Sequence, residues 1–197
     1  MNVLIVTAGN RFVKRCQTIC AESIRRYCAR YTEIRFTIET LPDGAAATTT
    51  WSKVELWLQL LPFCDYLITI DADAIIIGVQ DFRELIQPHA LNISVDCNGI
   101  NGGSAAYRNC TETIDFLKQV QSMRDKYYGH PWGAQAAMQS IIDKLDVFYQ
   151  PKHIWNAYAP EVDGIHDETP ETLVVHYPGM SPDQPAPFML DRLNSLS

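Results

Sequence analysis

The sequence has no excess of basic residues. Its 197 residues include 16 Lys and Arg against 23 Asp and Glu, which gives a formal net charge of -7 at neutral pH. Binding to the phosphate backbone of DNA or RNA, or to an anionic membrane surface, needs a basic surface that this balance does not supply. We therefore predict a protein with no nucleic-acid partner.

Long apolar runs are also absent. No stretch reaches the roughly 18 apolar residues that a membrane-spanning helix needs, because Asp71 and Asp73 interrupt the longest candidate. The N-terminal sequence MNVLIVTAGN has no basic flank before its apolar residues and no small-residue cleavage site after them, which argues against a signal peptide. We expect a protein without a membrane span, located in the cytoplasm.

Cysteine pairs of the C-x-x-C type are absent as well. The six cysteines are scattered, which argues against a zinc site and is typical of buried, reduced thiols. The length and the 47% hydrophobic content suit one compact core. We predict a single catalytic domain over residues 1–180 and a proline-rich tail over residues 181–197, within which residues 188–193 could dock as a short helix.

Strand and helix patterns alternate along the chain. Asn2–Thr7 is typical of a buried strand, Arg11–Tyr31 of an amphipathic helix, and Glu33–Glu39 of a half-buried strand. Ser52–Glu55 has the form of a capping box at a helix start, and Asp65–Asp71 is typical of a second buried strand. The remaining predicted elements are a helix near Asp81–Ile86, strands at Leu91–Val95 and Ser104–Arg108, helices at Thr111–Met123 and Gly133–Leu145, and strands at Val147–Tyr149 and Thr172–His176. This order predicts an α/β fold with a mostly parallel, doubly wound, Rossmann-like sheet flanked by helices, whose ligands bind at the carboxyl ends of the strands.

Two carboxylates close the buried strand that ends in Asp71-Ala72-Asp73. In an extended chain, residues two apart project to the same side, so both carboxylates face one spot. They would repel each other without a nearby positive charge, and hard oxygen ligands suit Mg²⁺ or Mn²⁺. A D-x-D tripeptide is also common in ordinary turns, but these charges lie between apolar segments that they would otherwise avoid.

Several further motifs accompany the D-x-D strand in a recognisable order. They are Trp51-Ser52-Lys53, Asn101-Gly102-Gly103 leading to Arg108-Asn109, Trp132-Gly133-Ala134-Gln135, Trp155-Asn156-Ala157-Tyr158, and His176-Tyr177-Pro178-Gly179. With these motifs the chain resembles metal-dependent, nucleotide-sugar glycosyltransferases of the single-domain GT-A type. It is most similar to the branch that contains plant xyloglucan xylosyltransferases and fungal galactosyl- and mannosyltransferases, and to short glycosyltransferases encoded by chlorella viruses.

This resemblance implies a reaction and its cofactors. The expected donor is a UDP-sugar, and the expected acceptor is a hydroxyl group of a glycan or glycoprotein. Mn²⁺ or Mg²⁺ would be bound by Asp71, Asp73 and His176 and would stabilise the leaving diphosphate. The sequence is compatible with the third ligand because His176 ends a second apolar strand, although a lone histidine at such a place is often structural.

The same resemblance extends the donor site to other strand ends. Its expected members are Thr7, Ala8, Gly9 and Asn10 at the uracil or ribose, Lys53 at a phosphate, Ala72 within the D-x-D motif, Asn101 and Gly102 at the sugar hydroxyls, Trp132 stacked on the sugar, and Gln135 and Gly179. From the residues alone, Thr7–Asn10 is equally a strand-to-helix turn, Lys53 a solvated lysine and Trp132 a packing aromatic.

The stereochemistry decides which catalytic group is needed. In an inverting enzyme Asp96 or Asp163 could act as the general base. In a retaining enzyme the resemblance places Gln135 beneath the sugar. The acidic residues that the branch carries before its glutamine are Gly133 and Ala134 here, so both alternatives stay open.

Two other classes of function also fit a D-x-D strand end. In a phosphohydrolase Asp71 would be the nucleophile and Asp73 the acid, although such enzymes normally carry the pair on their first strand. A non-catalytic nucleotide- or sugar-binding module would keep the fold without needing a metal.

Overall fold

The computed structural model describes residues 1–44, 46–162 and 167–196, so the candidate base Asp163 lies outside the described residues. The strands are β1 (Val3–Gly9), β2 (Arg35–Thr40), β3 (Tyr66–Asp71), β4 (Ala74–Ile76), β5 (Leu91–Asp96), β6 (Gly99–Arg108), β7 (Val147–Tyr149), β8 (Ala157–Tyr158) and β9 (Val174–His176). The helices are α1 (Lys14–Arg30), α2 (Ala46–Leu60), α3 (Phe82–Leu85), α4 (Thr111–Ser122), α5 (Arg124–Tyr127), α6 (Gly133–Gln139), α7 (Lys152–Trp155) and α8 (Ala186–Ser195).

The larger sheet has the strand order β2-β1-β3-β6-β5-β7. Strands β1, β2 and β3 pair in parallel, as do β5 and β7, whereas β6 is antiparallel to both of its neighbours. The predicted α/β fold with a mostly parallel sheet is therefore confirmed, with one reversed strand. The reversal follows from the tight turn before β6, where Gly99 has a φ of 108°, a conformation that favours glycine.

The two faces of this sheet are covered separately. Alternate residues of the central strands enter different apolar clusters: Ile5 and Ile68 pack beneath α1, whereas Leu4 and Leu67 pack beneath α2, α4 and α6. Because successive strand residues point to opposite faces, a strand that is buried on both sides must be apolar throughout. This explains why apolar residues follow one another along most of β1 and β3.

A second, smaller sheet of order β4-β9-β8 follows the D-x-D turn. Strand β4 pairs antiparallel with β9, so that Ala74 lies opposite His176. Neither β4 nor β8 was predicted.

Two boundaries and one burial pattern differ from the prediction. The helix expected to begin at Ser52 already begins at Ala46, so Ser52 lies inside α2 and the capping-box prediction is wrong. Helix α6 ends at Gln139 and is followed by a separate 3-10 turn over Ile142–Lys144. The alternation of Glu33–Glu39 puts Phe36 on the apolar side of the predicted half-buried strand, yet Phe36 is 37% exposed because β2 is an edge strand.

The C-terminal segment is tied to the first helix. Met189 and Leu193 of α8 are buried, and the α8 helix contacts α1. Asp183 has a φ of 59°, and its Oδ1 accepts hydrogen bonds from the backbone N–H groups of Arg15 and Cys16 at 3.1 and 3.2 Å. A carboxylate from the tail thus satisfies donors in the first turn of α1 that have no partner within the helix.

The cysteines are free thiols. Four are buried, as predicted: Cys16, Cys20, Cys28 and Cys64. Cys97 is exposed, contrary to that prediction, because it lies in the turn between β5 and β6 at the rim of the sheet. No helix in the described part of the chain is both long and apolar enough to cross a bilayer.

Candidate active site

The D-x-D motif lies where the two sheets meet. Asp71 is the last residue of β3, and Asp73 directly precedes β4. Because β4 pairs with β9, His176 is brought to the same place, and one ligand atom from each of the three residues lies within 4.8 Å of the others. The three residues predicted as metal ligands are therefore adjacent in space.

A glycine on β6 makes room for the histidine ring. A Cβ atom on Gly103 would lie 2.3 Å from both Cε1 and Nδ1 of His176, a distance that real Cβ atoms essentially never show. The His176 Nε2 atom lies 3.4 Å from Asp73 Oδ1, while its Nδ1 is buried without a hydrogen-bond partner among the described residues. Gly103 is extended rather than left-handed, so the requirement there is for space and not for a positive φ.

Lys53 compensates part of the negative charge around the motif. The Lys53 ammonium lies 2.5 Å from Asp71 Oδ1, with only 19% and 27% of the two side chains exposed. Burial opposes the charged form of Lys53, but the attraction to Asp71 outweighs this effect and raises the pKa of Lys53. Burial likewise acts against ionisation of Asp73, yet His176 and Lys53 hold its pKa below the ordinary value. Burial also acts against protonation of His176, but the attraction to Asp73 outweighs it and raises the pKa of His176.

The donor set fits a divalent cation. Two carboxylates and one imidazole converge, and they carry more negative charge than the single Lys53 ammonium balances. Carboxylate oxygens suit both Mg²⁺ and Mn²⁺, whereas an imidazole nitrogen suits Mn²⁺ better than it suits Mg²⁺. The residues therefore match the predicted ion in charge and in ligand type.

A cleft of about 300 Å³ lies on one side of the motif. Of the residues predicted to contact the nucleotide, the lining contains Ala8, Gly9, Asn10, Lys53, Asp71, Ala72 and Asp73. Thr7 is fully buried behind this surface, where its hydroxyl accepts a hydrogen bond from Cys20 Sγ at 3.4 Å. The cleft is also lined by residues that no sequence motif had indicated: Phe12, Val13, Gly44, Thr49, Thr50 and Pro182.

A smaller cavity of about 60 Å³ adjoins the cleft, and the two share Thr50, Lys53 and Asp71. The predicted residues Gly102 and Gln135 line it, and Gln135 Oε1 accepts a hydrogen bond from the Gly102 N–H at 3.3 Å. The side chains that sequence reasoning missed are Trp57, Ile93, Ile100, Tyr107, Ala134 and Met138. They belong to four different elements, so no local pattern could have grouped them.

Asn101 and Asp96 form a buried network beside this cavity. Asn101 Nδ2 donates to Asp96 Oδ2 at 2.7 Å and to the Tyr158 hydroxyl at 2.8 Å, and its Oδ1 accepts from Gly103 N–H and Asn156 Nδ2. Burial tends to raise the pKa of Asp96, but hydrogen bonds from Tyr158 and Asn101 lower it overall. Neither Asp96 nor Asn101 lines the cleft or the smaller cavity. Through the Gly103 N–H, this network is connected to the glycine beside the His176 ring.

Two predicted residues lie elsewhere on the surface. Trp132 is 45% exposed at the start of α6, with its ring 5.5 Å from that of His130. Gly179 lines a separate hollow next to Met180, and its φ of 77° explains a glycine there without a ligand contact.

Comparison with solved structures finds this fold in glycosyltransferases. The chain is similar to a glycosyltransferase involved in the glycosylation of the major capsid of PBCV-1, with a TM-score of 0.77 and 14% identity over 95% of this chain and 99% of that one. It is similar to the galactosyltransferase LgtC, solved with donor and acceptor sugar analogues, with a TM-score of 0.61 and 14% identity over 98% and 96% of the two chains. For the glycosyltransferase GlyE of Streptococcus pneumoniae the TM-score is 0.66, at 14% identity over 96% of this chain and 60% of that one.

Sequence comparison adds no relative. No protein-family model matches the chain, and no curated protein matches it. At identities this low, the structural likeness establishes the fold, which is the predicted GT-A type, and leaves activity to be argued from the site.

Proposed function

We propose that this protein is a metal-dependent glycosyltransferase that transfers a sugar from a UDP-sugar to a hydroxyl group of a glycan or glycoprotein. The observation that carries the proposal is the position of Asp71, Asp73 and His176, which converge at the junction of the cleft and the smaller cavity. A nucleoside diphosphate sugar consists of a nucleoside, a diphosphate and a sugar, in that order. The cleft, the charged junction and the smaller cavity follow one another in the same order. The fold shared with glycosyltransferases supports the assignment.

In this proposal Mn²⁺ or Mg²⁺ is bound by Asp71, Asp73 and His176. When bound, the ion neutralises the negative charge that develops on the diphosphate as the bond to the sugar breaks.

The protein's own residues bind and orient the donor. Ala8, Gly9 and Asn10 line the cleft at the end of β1, where the small side chains of Ala8 and Gly9 allow a nucleoside to approach closely. Lys53 holds Asp71 in place and offers the positive charge nearest to a diphosphate. Because Lys53 also lines the cleft, its ammonium would bind a phosphate oxygen of the donor.

The position of Gln135 favours the retaining alternative. Its amide lines the cavity beside Asp71, where the reacting face of a sugar would lie. Asp96 is less suited to act as the general base, because three hydrogen bonds from Tyr158, Asn101 and the Asn98 N–H hold its charge and keep its pKa low. We therefore assign Asp96 to the support of Asn101 and Tyr158.

Thermal melts test the metal and nucleotide together. UDP and GDP are each added with and without Mn²⁺ to the wild type and to Asp73→Asn, with Asp115→Asn, an exposed aspartate of α4, as the matched control. Ligand at about a hundred times its dissociation constant stabilises the folded state by roughly 2.7 kcal/mol, which is several degrees for a domain of this size. We expect a metal-dependent shift with UDP that Asp115→Asn keeps and Asp73→Asn loses.

The outcome separates the alternatives. Absence of any nucleotide shift in the folded wild type would overturn the proposal. Metal-dependent hydrolysis of a phosphate monoester without nucleotide preference would instead favour the phosphohydrolase. A UDP shift without donor hydrolysis or transfer would favour a binding module.

A further inference from the structure

Two buried polar atoms lie against the same point beside the candidate metal ligand His176. Neither Nδ1 of His176 nor Oδ1 of Asn156 has a hydrogen-bond partner among the described residues. A Cβ atom on Gly103 would lie 2.3 Å from the first atom and 3.0 Å from the second, so their separation is at most the sum of these distances, 5.3 Å. An imidazole N–H donates and an amide oxygen accepts, so the two groups are complementary.

Solvent does not supply the missing partners. Asn156 is completely buried and His176 is only 4% exposed. Buried polar groups in folded proteins are nearly always hydrogen-bonded, and leaving one unpaired costs about 1–3 kcal/mol. Because water does not reach either atom, each needs a partner from the protein itself. A hydrogen bond of about 3 Å between the two requires no more than about 2 Å of side-chain movement.

Asp96 fixes which atom of the Asn156 amide is turned towards the histidine. An ionised carboxylate only accepts hydrogen bonds, so Asn101 presents its Nδ2 to Asp96 at 2.7 Å and keeps its Oδ1 for other donors. That Oδ1 accepts a hydrogen bond from Nδ2 of Asn156 at 2.8 Å. The Asn156 amide therefore uses its nitrogen on Asn101, and its oxygen is left for a donor near Gly103.

The His176 ring is restrained on further sides. Strand β8 pairs in parallel with β9, which places Tyr158 opposite His176, and the two rings meet edge to face with centroids 6.1 Å apart. Nε2 of His176 lies 3.4 Å from Oδ1 of Asp73. Nε2 is thus the ring nitrogen beside the D-x-D motif, and Nδ1 is the one beside Gly103.

We propose that Asn156 is a positioning residue whose Oδ1 accepts a hydrogen bond from the Nδ1–H of His176. The proposal rests on the function proposed above. A neutral imidazole carries one hydrogen, so an acceptor at Nδ1 leaves Nε2 without a hydrogen and able to bind the cation. Histidines that bind metals nearly always donate their other N–H to such a partner, and loss of the partner typically weakens metal binding by about 10–100-fold.

Nuclear magnetic resonance tests the hydrogen bond in the wild type. The protein carries isotope-labelled histidine and is loaded with UDP and Mg²⁺, which is diamagnetic, and the His176 signals are those missing from His176→Gln. Correlations between ring protons and ring nitrogens identify the nitrogen that carries the hydrogen. We expect Nδ1 to carry it, with the downfield proton shift of a hydrogen bond. An Nδ1 without a hydrogen, or with the proton shift of an unbonded imidazole, would overturn the proposal even if no variant could be folded.

Asn156→Leu tests the residue, because leucine has a similar shape and no acceptor. The matched control is Asn92→Leu, which removes another fully buried amide, one that is bonded to Gln87 and lines neither the cleft nor the smaller cavity. Both variants should lose stability. We expect Mn²⁺ affinity in the presence of UDP, measured from the electron paramagnetic resonance signal of the free ion, to fall about tenfold or more in Asn156→Leu only. Wild-type affinity in the folded Asn156→Leu protein would refute the proposal.

Asn156→Asp separates positioning from a purely structural role. It keeps an acceptor for the Nδ1–H of His176 and loses the donor to Asn101. Positioning predicts Mn²⁺ affinity at least as high as in the wild type and a retained downfield Nδ1 proton. An amide that served only the fold would make Asn156→Asp as harmful to Mn²⁺ binding as Asn156→Leu, and equal losses in the two variants would contradict the proposal.

UDP with Mn²⁺ serves as the reference for the proposed function. If this pair fails to bind the folded wild type, the proposed function fails. Normal binding to the wild type together with undiminished binding to Asn156→Leu contradicts only the role of Asn156.

Discussion

Replacing Gly103 with alanine is expected to disturb the candidate metal site without changing any ligand. The added Cβ would lie 2.3 Å from two atoms of the His176 ring and 3.0 Å from Asn156 Oδ1. Ordinary contact begins at 3.4 Å, so the ring must retreat by about 3.4 − 2.3 = 1.1 Å. His176 is only 4% exposed and is held in β9 by its pairing with Ala74, so the movement meets packed neighbours.

The size of the effect follows from this overpacking. Forcing extra volume into a packed core costs about 1–3 kcal/mol, and each kcal/mol lowers the melting temperature of a domain of this size by about 2–4 °C. We therefore expect a fall of about 2–12 °C. Displacing a ligand through its supporting neighbours typically weakens metal binding by about 10–100-fold. Titration of Mn²⁺ in the presence of UDP, followed by the electron paramagnetic resonance signal of the free ion, measures that loss.

The neighbouring glycine provides the control. A Cβ on Gly102 would meet nothing closer than Gln135 Oε1 at 3.6 Å, which is ordinary contact. Gly102→Ala should therefore leave the melting temperature and the Mn²⁺ affinity nearly unchanged. In a His176→Ala background the cost of Gly103→Ala should shrink, because the clashing ring is gone. A Gly103→Ala protein with wild-type Mn²⁺ affinity and stability would refute the packing argument.

Three further substitutions test the charge balance and the capping contacts. Lys53→Met leaves Asp71 and Asp73 without their ammonium partner, so we expect thermal melts to show a loss of about 2 kcal/mol without metal and a larger stabilisation by Mn²⁺ than in the wild type. Asp183→Ala removes the carboxylate that accepts hydrogen bonds from the first turn of α1, so urea unfolding should show a loss of about 1 kcal/mol. Asp81→Ala should cost about 1 kcal/mol at pH 7, because Asp81 caps α3 and, despite the opposing effect of burial, hydrogen bonds from the neighbouring arginine hold its pKa low. The stabilisation by the Asp81 carboxylate is complete above the pKa of an unfolded aspartate, near 3.9, and is lost as the pH falls through the lower pKa of the folded state. Urea unfolding at pH 3 should therefore show a smaller stability difference between Asp81→Ala and the wild type.

Each of these substitutions has a result that would contradict it. For Lys53→Met, with the exposed Lys118→Met of α4 as control, the reasoning fails if Mn²⁺ stabilises the variant no more than the wild type. An Asp183→Ala protein as stable as the wild type would show that the tail carboxylate does not stabilise α1. A difference between Asp81→Ala and the wild type that is unchanged at pH 3 would show that the cap acts without its charge.

Much of the fold could be predicted from local pattern. The apolar runs of β1 and β3 and the helical spacing of α1 and α4 identified these elements within a few residues. The start of α2 was missed because Ser52–Glu55 imitates a cap inside a longer helix. The reversal of β6 was missed because a period of two residues is the same in either strand direction.

The sequence by itself determined that two carboxylates share one strand end, because alternation along β3 sets the direction of every side chain in it. Only the tertiary structure decided which distant groups meet them. His176 reaches the motif through the pairing of β4 with β9. Position 103 requires glycine because the His176 ring occupies the space that a Cβ atom would need, and not because of the backbone conformation at Gly103. Likewise, the lining of the smaller cavity comes together only when strands β5 and β6 are packed against α2 and α6. Local sequence carries the period of an element, whereas contacts between elements depend on how the whole chain packs.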